Sequence, residues 1–443
     1  MRLSLQQLAQ VVDGRLIGAD VEITGLCHDS RQIQPGDLFV ALPGAHVDGH
    51  QFVARACRDG AAAALVRTAV ETECPQLVVS DPRSAMGQIA GSWRAGLPVR
   101  LVGVTGSNGK TTVKEMTAAV LGRAGSTWST QGNYNNEIGL PLTLAALRSD
   151  HRFAVLEMGA ARSGDIRYLA EMAQPQVAVV TNAGPAHLET MGNIEGVART
   201  KGEIFTALPD DGVAIINADD RFADFWRGLA GDRRVITFGT GAGADVQGVV
   251  DQGRVRIRIG PDSHRFRPAL PGHHNLLNAL AAMAVNQAFD LPPEPAVRAL
   301  ERVTGLPGRL QLKHHPDGWE LIDDTYNANP ASLYAGLQVL AELGGERWLV
   351  LGDMAELGED SDKLHAEMGQ AAADLGVRRL FCVGPVSRAS SAVFGDGGQH
   401  FQTHAALVAA LRGEIHGGVN CLVKGSRSMA MERVVDALLK GER

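Results

Sequence analysis

The chain has 443 residues, room for roughly three domains at about 150 residues each. Hydrophobic residues make up 45 % and charged residues 21 %, and a formal net charge of -7 leaves no basic field for a nucleic-acid partner. Cys27, Cys57, Cys74, Cys382 and Cys421 are scattered, and their odd number and wide spacing argue against a disulfide framework or a zinc site, which fits a reducing cytoplasm.

The N-terminus, M1-R-L-S-L-Q-Q-L-A-Q-V-V-D-G14, reads as an amphipathic helix, and no run approaches the ~18 apolar residues of a membrane span. From 1 to 97, short apolar runs alternate with Gly, Pro and Asp turns, which predicts a small α/β unit. From 98 to 304 the texture becomes apolar strand, polar loop, helix, with L101-V-G-V-T-G, F153-A-V-L-E-M-G, V177-A-V-V-T-N and V213-A-I-I-N-A-D as strands buried on both faces of a parallel sheet. A third cycle, 305–443, follows L306-P-G-R309 and runs through W319-E-L-I-D-D, R347-W-L-V-L-G-D, R379-L-F-C-V-G and C421-L-V-K-G. The expected fold is therefore three α/β domains: a small N-terminal unit, a central phosphate-loop parallel sheet covered by helices on both faces, and a Rossmann-like C-terminal sheet.

The stretch G106-S-N-G-K-T-T112 follows the first central strand and opens a helical pattern. Backbone N–H groups at a helix start present fixed positive dipoles to phosphate oxygens, and Gly106 and Gly109 let the backbone approach them. Lys110 adds a point charge and Thr111 a metal-facing hydroxyl. The pattern is a short variant of G-x-x-x-x-G-K-S/T, because Val104 stands where the first glycine would fall.

Ligands of open parallel sheets gather at the carboxyl ends of strands. Glu157 ends one strand, where a second magnesium ligand is expected, and His187 lies just past another. Read singly, they could be a strand-end carboxylate and an ordinary loop histidine; beside Lys110 and Thr111 they form a metal-nucleotide site. Lys201, in G196-V-A-R-T-K-G-E-I-F205, reads equally well as a basic residue on a solvated helix face.

These residues together resemble the Mur ligases, the ATP-dependent amino-acid ligases of peptidoglycan precursor synthesis. The resemblance rests on T105-G-S-N-G-K-T-T112, L156-E-M-G159, T181-N-A-G-P-A-H-L-E189, A198-R-T-K-G-E-I-F205, G272-H-H-N-L-L-N278, L306-P-G-R309, I322-D-D-T-Y-N-A-N-P, L351-G-D-M-A-E-L-G358 and V423-K-G-S-R427. H28-D-S-R31 and F39-V-A-L-P-G-A-H-V-D-G-H50 extend it into the first domain. The third-domain motifs are similar to those of the member that adds D-alanyl-D-alanine to UDP-N-acetylmuramoyl-tripeptide, and the D-N-P-R motif of the diaminopimelate-adding member is missing.

The resemblance implies ATP and Mg2+ as cofactors and an acyl-phosphate route to the UDP-MurNAc-pentapeptide. It assigns ATP to Gly106, Ser107, Asn108, Gly109, Lys110, Thr111 and Thr112, with Asn275 and Asn278 reaching the adenine and Arg309 and Asp324 the phosphates and ribose. Lys201 becomes a lysine that carbon dioxide can carbamylate, joining Thr111, Glu157 and His187 around magnesium. The UDP substrate falls to Ser30, Arg31, Asp48, Gly49 and His50, with Asn135 and Asn136 lining its sugar-peptide channel. D-Ala-D-Ala falls to Tyr326, Asn327, Asn329, Lys424, Ser426 and Arg427. A cytoplasmic monomer without membrane insertion is expected. The alternatives are a phosphate-loop kinase of a small metabolite and a folylpolyglutamate-synthase-like ligase, whose usual architecture lacks the N-terminal unit; a nucleotide-dependent scaffold without catalysis is weaker still.

Overall fold

The apolar runs of the central region form strands whose alternate side chains feed two separate cores. Val102 and Val104 of Arg100–Thr105 pack with Val113 of helix Lys110–Leu121 and Leu276 of helix His273–Ala288. Leu101 points the other way and joins Ile204 of helix Ile194–Thr206 and Trp226 of helix Ala223–Ala230. Burial on both faces is why these strands read as continuous apolar runs. The computed structural model describes residues 1–44, 47–185, 187–251 and 254–440, so Ala45 and His46 of the first-domain motif, and Ala186 before His187, lie outside the described residues.

Among the described residues the central sheet has nine strands in the order Asp262–Phe266, Arg254–Ile259, Val246–Asp251, Arg234–Gly239, Val213–Asn217, Val177–Val180, Arg100–Thr105, Phe153–Glu157, Thr127–Ser129. It is parallel from Thr127–Ser129 to Val246–Asp251 and then turns antiparallel through the last two strands. That antiparallel extension departs from the purely parallel expectation. Its chemistry is in R254-V-R-I-R-I259, where Val255 and Ile257 are buried and the intervening arginines exposed, the period-2 pattern of a one-faced sheet.

The third sheet runs Gln311–His314, Glu320–Asp324, Val419–Lys424, Glu346–Gly352, Arg379–Val383, Gly398–Phe401, parallel apart from its first strand. The first domain carries a five-stranded sheet ordered Arg15–Ile17, Gln76–Val78, Ala63–Val66, Asp37–Val40, Gly25–Cys27. Ser4 caps helix Leu5–Val11 reciprocally with Gln7, as the amphipathic N-terminus requires. One cysteine expectation is corrected. Cys57 at the end of helix Val53–Arg58 is bonded to Cys74 ahead of strand Gln76–Val78, while Cys27, Cys382 and Cys421 stay free and buried. Spacing along the chain hides this pair because the parallel sheet folds positions 57 and 74 back to a Cα separation of 6.2 Å.

The helix carrying Lys201 is fixed by one aromatic residue. Trp226 is fully buried, and its indole N–H donates to the Ala198 carbonyl at 2.9 Å. At Gly202 a Cβ would stand 2.4 Å from Leu229 Cδ1 and 2.9 Å from Trp226 Cδ1, so the two helices touch through a glycine. Trp226→Ala is expected to lower the stability of the central domain by about 3–5 kcal/mol, read as an early transition in urea monitored by circular dichroism.

Candidate active site

Strands Arg100–Thr105, Phe153–Glu157 and Val177–Val180 are adjacent and parallel, so their carboxyl ends deliver Gly106, Glu157 and the Thr181 segment to one edge. The phosphate loop is tied down there from both sides. Asn182 accepts from the Asn108 amide through its side chain at 3.0 Å and from the Ser107 amide through its carbonyl at 3.0 Å, while Thr181 Oγ1 donates to the Asn108 carbonyl at 2.6 Å. Gly106 has φ +145° with a would-be Cβ 1.9 Å from Thr181 Oγ1, and Gly109 has φ +81° with a would-be Cβ 2.5 Å from Asn278 Oδ1. Only glycine satisfies both the torsion and the space. The first amides of helix Lys110–Leu121 have no intrahelical acceptor and face an anion with their dipoles.

Lys110 Nζ donates to the loop's own Gly106 and Ser107 carbonyls, at 2.8 and 3.2 Å. Burial pushes its pKa down, with Arg309 acting the same way and Glu157 opposing. Glu157 is buried, and both carboxylate oxygens are engaged: Oε2 accepts from Thr111 Oγ1 at 2.8 Å and Oε1 from Asn135 Nδ2 at 2.8 Å. The reading of Glu157 as an exposed strand end is thereby removed. Asn136 instead turns its Oδ1 to the Ile138 and Gly139 amides at 3.2 and 2.9 Å, holding the start of helix Gly139–Ala145.

Lys201 does not lie on a solvated face; it is 1 % exposed. Burial drives its pKa from 10.5 to about 7, Lys110 pushes it in the same direction, and Asp165 and Glu203 oppose. Glu203 is occupied by Ser163 Oγ and the Gly164 and Arg167 amides. No ion-pair or hydrogen-bond partner reaches Lys201 Nζ among the described residues. A buried amine of this kind is neutral enough to react near pH 7.

The third domain closes the site. Arg309 Nη2 donates to Thr111 Oγ1 at 2.9 Å, and its guanidinium lies 4.2 Å from the Tyr326 ring centroid. Asn329 caps helix Pro330–Glu342 and donates through Nδ2 to Asn108 Oδ1 at 2.8 Å. His187 Nδ1 meets Glu356 Oε2 at 2.6 Å. Asp324 is buried against Lys424, whose Nζ also donates to the Asn327 carbonyl at 3.0 Å; burial pushes the Asp324 carboxyl up while Lys424 pulls it down. On helix His273–Ala288, Asn275 Nδ2 donates to Pro271 O at 2.7 Å and its Oδ1 accepts from Asn278 Nδ2 at 3.2 Å.

A cleft of about 880 Å³ gathers Ser107 to Thr112, Asn135, Asn136, Glu157, His187, Asn275 and Asn278 with Arg309, Asp324, Tyr326, Asn327, Asn329, Lys424 and Arg427. Gly106 and Lys201 sit behind its wall. Ser426 also lies outside the lining: its Oγ accepts from the Ala355 amide at 2.7 Å and donates to the Ala328 carbonyl at 3.3 Å. Arg427 is exposed and pairs with Glu432 at 3.1 Å. In the first domain Arg31 forks onto Asp29 beside Ser30, and Asp48 accepts from the amide and ring of His50, which in turn accepts from the Arg67 amide at 2.9 Å. None of these first-domain residues lines the cleft.

Three functional positions carried no role in the sequence reading: Thr181 and Asn182, which hold the loop, and Glu356. Their signal was present, since T181-N182 ends a strand and Glu356 lies in L351-G-D-M-A-E-L-G358. Thr111, Glu157 and His187 supply a hydroxyl, a carboxylate and an imidazole. Among the described residues no three His, Cys, Asp or Glu side chains cluster as an all-protein metal cage. A sparse, oxygen-biased set beside a phosphate loop suits Mg2+, which keeps waters and substrate phosphates in its shell.

Family models match the chain in three blocks: the Mur ligase family catalytic domain at 22–100, the Mur ligase middle domain at 104–286 and the Mur ligase glutamate ligase domain at 308–427. The chain belongs to the Mur ligase family. It is 41 % identical to the UDP-N-acetylmuramoyl-tripeptide--D-alanyl-D-alanine ligase of Escherichia coli K12, over 98 % of each chain. The Bacillus subtilis ligase of that name is 35 % identical, over 99 % of each. Among solved structures, MurF from Acinetobacter baumannii superposes with a TM-score of 0.94 at 34 % identity over 99 % of each chain. MurF from Thermotoga maritima in complex with ADP gives 0.84 at 28 % identity, over 94 % of this chain and 97 % of that one.

The loop geometry sets a test. Gly109→Ala puts a Cβ into Asn278 and forces a left-handed torsion that costs an L-residue about 1–2 kcal/mol, so ADP affinity by calorimetry is expected to fall at least ~10-fold. Gly164→Ala, with φ +90° and nothing within 4 Å of its Cβ, carries the torsional cost without the clash and is expected to leave ADP affinity unchanged.

Proposed function

We propose that the chain joins D-alanyl-D-alanine to UDP-N-acetylmuramoyl-tripeptide at the expense of ATP, giving the UDP-MurNAc-pentapeptide of peptidoglycan synthesis, ADP and phosphate. The observation that carries this reading is the hydrogen-bonded chain Glu157–Thr111–Arg309, which joins the phosphate loop of one domain to a cation of another. Enzymes that transfer a phosphoryl group and then hand the product to a second substrate need such a closing joint to exclude water.

A carboxylate does not form an amide directly, because hydroxide is a poor leaving group. An oxygen of the tripeptide's terminal carboxylate attacks the γ-phosphorus and the bond to ADP breaks, leaving an acyl phosphate. The dipeptide amine then attacks the acyl carbon, the amine proton is lost, and phosphate leaves with its electron pair. Lys110, the loop amides and Arg309 stabilise the charge on the transferring group. Asn275 and Asn278 suit a purine edge because amides both donate and accept. Asp324, held by Lys424, faces the ribose. Thr111, Glu157, His187 and a carbamylated Lys201 would hold Mg2+, which would supply charge neutralisation at the phosphates.

The division of labour is 1–97 for the UDP end through Ser30, Arg31, Asp48, Gly49 and His50, 98–304 for ATP, and 305–443 for the dipeptide. Asn135 and Asn136 face the sugar-peptide channel, with Asn135 also steadying Glu157. Tyr326, Asn327, Asn329, Lys424 and Arg427 receive the dipeptide, while Ser426 shapes its pocket from behind. The chain works as a cytoplasmic monomer; among the described residues no helix is long and apolar enough to cross a membrane.

Phosphate release from ATP and Mg2+ with UDP-MurNAc-tripeptide is expected only when D-Ala-D-Ala is also present, with a pentapeptide product by mass spectrometry. ADP formation with the nucleotide substrate alone, without an amide product, points to a kinase or hydrolase instead. Lys201 gives a second expectation. With a pKa of about 7, roughly half the amine is neutral at pH 7 and about a tenth at pH 6, so carbamylation rises with pH. Activity in carbon-dioxide-depleted buffer is expected to increase on adding bicarbonate at pH 8, more than at pH 6, and the response is expected to vanish in Lys201→Met.

A further inference from the structure

We propose that Glu356 is a positioning residue that orients the His187 ring when the third domain docks, an inference that rests on the ligase reading above. The contact is the meeting of two backbones that are both in the left-handed region: His187 has φ +54° and Glu356 φ +63°, and neither is glycine. Such torsions cost energy and persist where the surroundings over-determine them.

The surroundings of Glu356 do so. On one side Met354 N donates to Nε2 of the fully buried His365 at 2.9 Å, and the other nitrogen of that ring bonds the Ser361 carbonyl at 2.8 Å. Next to it Ala355 N donates to Ser426 Oγ at 2.7 Å, and Ser426 N donates to the Asp353 carbonyl at 3.0 Å. Asp353 in turn accepts from the Val386 and Ser387 amides. A loop pinned at 353, 354 and 355 presents the Glu356 side chain outward, 60 % exposed, with His187 Nδ1 at 2.6 Å from its Oε2. Across the interface the short helix Leu188–Met191 packs on the turn Gly358–Asp360, so the two segments dock as a unit.

A carboxylate on Nδ1 fixes the imidazole tautomer: Nδ1 carries the proton and Nε2 keeps a lone pair for the cleft. Because the carboxylate comes from the third domain, the ring acquires that orientation only on closure. Glu356 thus reports the docking of the dipeptide-bearing domain to the phosphate site.

The test compares wild type, Glu356→Gln and Glu356→Gly. Glycine relieves the left-handed torsion while deleting the carboxylate, so its melting temperature is expected to equal or exceed that of wild type. Its kcat is expected to fall ~10–100-fold, with KM for ATP within about twofold. Gln, whose amide oxygen still accepts from Nδ1–H, is expected to recover part of kcat. In a His187→Ala background Glu356→Gly is expected to cost nothing further. A structural readout accompanies these: 15N shifts of the His187 ring are expected to show the Nδ1–H tautomer in wild type and a mixture in Glu356→Gly. An unchanged kcat and tautomer in a stable Glu356→Gly protein overturns the proposal. A wild-type protein that forms no pentapeptide overturns the ligase reading itself, and the ring shifts then still decide whether Glu356 orients His187.

Discussion

The hydroxyl of Thr111 is the point on which the site depends. It donates to Glu157 and accepts from Arg309, so a single oxygen joins the first turn of the phosphate-loop helix, the end of a neighbouring strand and another domain. A hydroxyl can do this because it has one proton and two lone pairs. Everything upstream serves to bring that oxygen to its place: the buried parallel strands fix where Gly106 and Glu157 end, Thr181 and Asn182 clamp the loop, and Asn135 holds the second oxygen of Glu157.

Around this joint the charges are arranged in a way that separates binding from reaction. Lys110 rests on its own loop carbonyls, and Lys201, which no ion-pair partner reaches among the described residues, has its affinity for a proton lowered by burial and then by repulsion from Lys110. Lys110, half-buried in the cleft wall beside the loop amides, favours an anion there. Asp324 and Lys424 show the opposite solution, a buried pair that neutralises itself and shapes the pocket with little net charge.

The sequence carried the local parts of this arrangement and missed those that need tertiary docking. Lys110, Thr111 and Glu157 could be singled out because each sits at a fixed offset in a loop or strand end, and Arg309 through the family resemblance carried by L306-P-G-R309. The apolar runs of the central sheet were legible because both faces are buried. Lys201 was ambiguous because the burial of one helical lysine is set by tertiary packing and not by the local pattern. Glu356 stayed unassigned because, although it lies in a family motif, its partner His187 belongs to another domain, and the Cys57–Cys74 bond stayed hidden because it is set by sheet topology. The motif residues Ser426 and Asn136 turned out to hold backbone amides, a use that short polar residues share with ligand binding.

Arg309 carries a third-domain guanidinium to the hydroxyl of Thr111 in the phosphate-loop helix. The most direct measurement is single-turnover amide formation by Arg309→Lys, which keeps a cation but loses the planar fork that reaches Thr111 and stacks on Tyr326. The rate of that turnover is expected to fall about 10³-fold, in a protein with an unaltered melting temperature. A rate within about twofold of wild type contradicts it and moves completion of the site back to the central domain alone.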